Sequence, residues 1–152
     1  MRTEHTFLYE PAVWTATGAF WSEDGRESAI EGRTEVRHDE ECWMIAGSMK
    51  VLCSPHVEFK HLYLIQPPGK DALTAKWTSE NPALGHLHGT FCIVGPSILS
   101  VYYSDHGGYH GVEHLARIDA DHYEACGVLL MNDRRISSWR AHLTREARAA
   151  SG

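Results

Sequence analysis

From Trp14 to Arg140 the chain repeats one kind of unit: a run of eight to ten residues with apolar and polar positions alternating, then a short cluster of turn formers. Strict alternation over so short a run suits a half-buried β-strand and no helix, because side chains on a strand point to opposite faces in turn. The runs WTATGAFW (14–21), SAIEGRTEVR (28–37), CWMIAGSMKV (42–51), VEFKHLYLIQ (57–66), ALTAKWTSE (72–80), HLHGTFCIV (86–94), SILSVYYS (97–104), YHGVEHLARI (109–118), HYEACGVLLM (122–131) and RISSWRAHL (135–143) are therefore expected as strands. Glu23-Asp24-Gly25, His38-Asp39-Glu40, Pro67-Pro68-Gly69, Gly95-Pro96, Asp105-His106-Gly107-Gly108 and Asn132-Asp133 supply the reversals between them. Ten strands on short connections favour an antiparallel up-and-down meander, and a meander of that size closes on itself or leaves long unpaired edges. The expectation is an all-β fold: one closed barrel over residues 1–152, with 1–12 and 144–152 as terminal extensions.

Glycines inside the expected strands agree with closure. Gly18, Gly32, Gly47, Gly89, Gly111 and Gly127 all sit where glycine weakens pairing, and it is tolerated where a strand coils sharply or bulges.

Charge narrows the partners. With 14 Lys and Arg against 20 Asp and Glu, the net charge is −6, which disfavours nucleic acid and anionic membranes. MRTEHTFLYE lacks the apolar core of a signal peptide, and no apolar run approaches the roughly 18 residues of a membrane span. A soluble, cytoplasmic protein with no membrane partner is expected. Cys42, Cys53, Cys92 and Cys126 form no Cys-x-x-Cys pair and read as reduced structural thiols.

Splitting each strand into faces and turning the more apolar one inward gives the expected interior. In 28–37, Ile30, Gly32, Thr34 and Val36 turn in; in 72–80, Leu73, Ala75, Trp77 and Ser79 do so. The rule also turns in Trp43, Ile45, Met49 and Val51; Val57, Phe59, His61, Tyr63 and Ile65; and Leu99, Val101 and Tyr103. In 109–118 it sets His110, Val112 and His114 inside and Glu113 outside. Apolar walls with a few oriented polar groups suit a small-molecule cavity. Tyr63, Trp77, Tyr103, Trp43, Phe59 and Tyr123 are the expected ligand-binding residues.

His61, His110 and His114 are the candidate catalytic residues, because an imidazole with a free pKa of about 6.5 transfers protons near neutral pH. Tyr63 or Tyr103 would donate to a substrate oxygen. Such groups suit a cofactor-independent isomerisation, cyclisation or hydration of an apolar or aromatic metabolite, of the lyase or isomerase type. Binding without catalysis uses the same residues. No metal or cofactor is expected. His110 and His114 stand roughly 13 Å apart along a strand, and the better-spaced pair His86-Leu87-His88 falls on the outer face when Leu87, Gly89, Phe91 and Ile93 turn in. The glutamate that follows such a pair in cupins is absent. No Gly-x-Ser-x-Gly elbow or phosphate-cradling loop occurs, and the consecutive Ser104-Asp105-His106 cannot form a triad. Outward apolar positions on adjoining strands, Met44 and Ala46 beside Leu62 and Leu64, predict a homodimer.

In its length, its meander of about ten strands and its early Trp14-x-x-x-Gly18-Ala19-Phe20, the chain resembles the calycin superfamily of lipocalin-like and fatty-acid-binding-like barrels. Lipocalins carry Gly-x-Trp on the first strand; here Phe20 stands in the third position and Trp21 follows. The resemblance implies an internal pocket for an apolar or aromatic small molecule, which some such barrels process as enzymes. It also implies an alternative, a haem- or lipid-like ligand carrier of the nitrobindin kind, with His61, His110 or His114 as candidate axial ligands.

Overall fold

The computed structural model describes residues 4–106 and 108–147. Ten strands follow one another: β1 (Ala12–Trp21), β2 (Glu27–His38), β3 (Trp43–Val51), β4 (Val57–Ile65), β5 (Thr74–Asn81), β6 (Gly85–Val94), β7 (Ser97–Ser104), β8 (Tyr109–Asp119), β9 (His122–Met131) and β10 (Arg134–Arg145). Each pairs antiparallel with its chain neighbours, and β1 pairs with both β2 and β10, so the wall closes. The all-β, up-and-down barrel is present, and every expected strand lies within two residues of its place at each end. One pairing is short: β4 meets β5 only at Tyr63–Ser79, Leu64–Thr78 and Ile65–Trp77. The rest of β4, from Val57 to Leu62, is held by β3 alone.

The strand glycines answer to neighbouring rings and backbones. A Cβ on Gly89 would lie 2.1 Å from the Trp77 indole of the paired residue, and one on Gly111 would lie 2.4 Å from the Tyr102 ring, again its register partner. Real Cβ contacts are never so close, so each ring lies flat over a glycine on the next strand and fills the interior sideways.

One end of the barrel is sealed by the chain before β1. Phe7 and Leu8 are buried, and Phe7 meets Trp14 and Tyr123 in edge-on or tilted ring contacts. His5 Nδ1 lies 2.7 Å from the Tyr123 hydroxyl and its Nε2 2.9 Å from the Gly95 carbonyl, while the Thr6 hydroxyl donates to the Ala120 carbonyl at 2.6 Å. These bonds tie the segment to the β6–β7 and β8–β9 turns. At the same end β10 reaches Arg145, past the expected boundary at 143 and paired with Trp14, and residues 148–152 of the expected tail lie outside the described residues.

The expected faces hold for β2 and for β3 through β6, where Ile30, Val36, Ile45, Val51, Ile65, Ala75 and Trp77 are all buried, except that Val57, at the start of β4 and expected inward, is exposed. Leu73 precedes β5 and is exposed. For β7 and β8 the assignment is inverted. Ile98, Ser100 and Tyr102 face inward, whereas Leu99, Val101 and Tyr103 face out; Gly111, Glu113 and Leu115 face inward, whereas His110, Val112 and His114 face out. The apolarity rule misled because the lumen itself carries polar groups on these strands, while β-branched residues stabilise the outer face of a sheet as well. Val101 and Val112 do so as register partners, 56 % and 38 % exposed.

Candidate functional site

Beyond the sealed end the lumen opens into a cavity of about 310 Å³. Phe7 closes its floor; Trp77, Phe91, Leu87 and Leu115 line the wall; Phe20, Phe59 and Trp139 stand near the mouth. Phe20 and Phe59 approach across the opening with ring centroids 6.2 Å apart. Phe59 is 46 % exposed, so apolar aromatic surface begins at the rim and continues inward.

Into this apolar space project Glu113, Tyr63, Tyr102 and His61. Glu113 on β8 is flanked in register by Ser100 on β7 and Gly127 on β9, two small residues that leave its side chain free to cross the lumen. Its carboxyl faces the Tyr63 phenol of β4, and the two influence each other electrostatically. Burial pushes the Glu113 pKa up to about 7, against a smaller downward pull from the Tyr63 hydroxyl, because an ionised carboxylate loses hydration in an apolar cavity. Burial likewise raises Tyr63, with the Glu113 charge adding to it, and raises Tyr102, so both phenols keep their protons. Glu113 and Tyr63 still retain some exposed surface. That combination is what side chains facing an open cavity show.

His61 faces the same space, and its Nε2 lies 3.0 Å from Thr34 Oγ1. The Thr34 hydroxyl also lies 3.3 Å from the Ala46 carbonyl, so it either donates to that carbonyl and accepts from His61 Nε2–H, or donates to an unprotonated Nε2. Burial lowers the His61 pKa, so the ring is neutral near pH 7. Trp77 is anchored by its Nε1–H to Ser100 Oγ at 3.0 Å, both residues being buried, which fixes the indole that forms one wall.

Of the residues expected at the site, His61, Tyr63, Trp77 and Phe59 line the cavity. Tyr123 is fully buried at the sealed end, under His5 and Phe7. Trp43 lies at that end too, stacked on His38 at 3.8 Å. Tyr103, His110 and His114 are on the outer face, a correction that follows from the inverted phase of β7 and β8. Tyr103 stacks beside His88, His110 is exposed, and His114 Nε2 lies 2.8 Å from Ser97 Oγ. A haem ligand from inside the barrel is thereby limited, among the three candidates, to His61. Glu113 and Tyr102 were missed. The signal that finds Tyr102 is the tight Gly95-Pro96 turn: it pairs Val94 with Ser97 and Ile93 with Ile98, register partners share a face, and Ile93 was already assigned inward.

No protein-family model matches the chain. No curated protein matches its sequence. Among solved structures, the S-type phycobiliprotein lyase CPES from Guillardia theta is similar, with a TM-score of 0.66 over 94 % of this chain and 92 % of that one at 6 % sequence identity. At that identity the likeness is one of fold: the chain shares its barrel architecture with a phycobiliprotein lyase.

Proposed function

We propose that this calycin-like barrel binds a small apolar or aromatic molecule in its lumen, and that Glu113, paired with Tyr63, performs acid/base chemistry upon it. The observation that carries the reading is the Glu113 carboxyl set among apolar walls in a cavity open at one end, where burial pushes its pKa up to about 7. A general acid or base is most effective when its pKa lies near the working pH, since both of its forms are then populated. Placed among Trp77, Phe91 and Leu115, the carboxyl can take a proton from a carbon or hydroxyl of the bound molecule and return it elsewhere. Tyr63, held protonated, can donate to a developing oxyanion, and the neutral His61 ring offers a second polar group. Such groups support a cofactor-independent isomerisation, cyclisation or hydration. The likeness to a phycobiliprotein lyase makes pigment-like molecules a class to screen first.

The protein is also proposed to be cytoplasmic and a homodimer. No helix among the described residues is long and apolar enough to cross a membrane. Met44 pairs with Leu64 and Ala46 with Leu62 across β3 and β4, so the outer apolar residues adjoin.

The test is untargeted mass spectrometry of small molecules released on denaturation, followed by assay of the identified molecule with wild-type protein and Glu113→Gln. Turnover should fall about 10²–10⁴-fold, the usual worth of a general acid or base, while binding is kept. Binding without turnover in the wild type would make the protein a carrier, and unchanged turnover in Glu113→Gln would remove Glu113 from the chemistry.

A further inference from the structure

On the outside of the barrel, near its open end, three metal-ligating side chains converge. His86 and His88 occupy alternate positions of β6, and both face out because Leu87 and Gly89 between and beside them face in. The i, i+2 spacing brings their rings to 4.5 Å between centroids. Asp105 follows β7 directly, and its backbone N–H donates to the His86 carbonyl at 3.1 Å, so the hairpin itself carries the carboxylate to the imidazoles. One Asp105 oxygen lies 2.8 Å from His86 Nδ1 and the other 2.6 Å from His88 Nε2. A donor atom from each of the three lies within 4.8 Å of the other two.

We propose that His86, His88 and Asp105 bind a divalent transition-metal ion of the zinc type, with His86 Nδ1, His88 Nε2 and a carboxylate oxygen as ligands. Two imidazole nitrogens and one carboxylate oxygen form a donor set suited to zinc, and three protein ligands leave a fourth position to solvent. Zinc takes such ligands at about 2.0–2.2 Å, so binding draws the three side chains together. All three are about one-third exposed and on a strand end or turn, where rotation is possible.

The surroundings hold the ligands as outer-shell groups do. Glu80, the register partner of His86, places a carboxylate oxygen 3.5 Å from His86 Nε2, where it favours a proton on that nitrogen and leaves Nδ1 free for the ion. Tyr103, the register partner of His88, stacks on its ring at 5.6 Å and 26°, limiting its swing. A second exposed group, His122 and His142 with Asp119 and Glu124, differs in design. There each imidazole has its own carboxylate, at 2.7 Å and 2.6 Å, and no three donors converge.

Calorimetric titration of tag-free protein with Zn²⁺ tests the assignment. Saturable binding of one ion per chain is expected. His88→Ala and Asp105→Asn should each weaken it by at least the roughly 10–100-fold that loss of an outer-shell partner alone causes. His122→Ala should bind as the wild type does. Melting without metal checks that each variant is folded, and Asp105→Asn keeps the size of the side chain if His88→Ala is not. Absence of saturable binding overturns the proposal. So does wild-type affinity in folded His88→Ala and Asp105→Asn, or an equal loss in His122→Ala.

Discussion

Tyr63 on β4 and Glu113 on β8 face one another in the lumen from strands that are not neighbours in the wall, and the Glu113 charge helps raise the Tyr63 pKa. Among the described residues Glu113 is the one carboxyl lining the cavity, and the phenol beside it stays protonated. The consequences are measurable without knowing the ligand.

The first concerns pH. The Glu113 pKa is raised from 4.5 to about 7 on folding, so between those values the folded chain binds more protons than the unfolded one. Stability contributed by the neutral carboxyl is complete below about 4.5 and is lost as pH rises through about 7. By linkage, at about 1.4 kcal/mol per pKa unit, the loss totals roughly 3 kcal/mol. Glu113→Gln, neutral throughout, should lack this component. Urea denaturation of both proteins at about pH 5 and about pH 8 should show wild type losing stability relative to the variant. The lowered His61 and His5 act in the opposite sense, below their ordinary value, but are common to both proteins and cancel in the difference.

A second outcome concerns the glycines beneath aromatic rings. Gly89→Ala would drive a methyl into the Trp77 indole and Gly111→Ala into the Tyr102 ring, so each should cost about 1–3 kcal/mol through overpacking. Gly69→Ala, with nothing within 4 Å of the added atom, should be close to neutral. Chemical denaturation ranks the three, and equal losses would mean the rings yield freely.

The histidines divide by face. Once a ligand is identified, His61→Ala should weaken its binding by about 10-fold, the worth of one buried hydrogen bond at about 1–3 kcal/mol. His110→Ala and His114→Ala, on the outside, should leave affinity unchanged. A large loss from either outer variant, read by titration, would mean that the pocket extends outside the barrel.

Self-association is read by light scattering at high micromolar concentration, where a dimer mass is expected. Leu64→Glu, on the outer patch and 43 % exposed in the single chain, should return the monomer without lowering thermal stability. A monomeric wild type would sink the idea.

The element pattern was legible because alternation and turn chemistry are local properties, and the ten alternating runs agreed with the six turn clusters between them. Interior and exterior were legible only where the two faces differ strongly, as Ile30, Thr34 and Val36 differ from Glu31, Arg33 and Glu35. In β7 the alternatives Ile98-Ser100-Tyr102 and Leu99-Val101-Tyr103 are nearly matched, and in β8 the Glu113 carboxylate made the inner face the more polar one. A polar residue that faces a lumen thus counts against its own face in any rule based on apolarity. Gly111 and Gly127 held the missing information. Each pairs in register with an aromatic residue, Tyr102 and Trp139, whose ring needs the space that glycine leaves. That requirement is non-local, since it is a property of two strands together.

The three-pair junction of β4 with β5 has a consequence for how molecules of different length are received. Val57 to Leu62 have no partner strand on that side, so no backbone ladder closes the wall beside Phe59 and His61. Under the proposed ligand-binding role, an elongated molecule would be able to leave a tail at this edge while its head rests near Glu113. Amide hydrogen exchange should be fastest along this edge of β4 and slow markedly when such a molecule is bound.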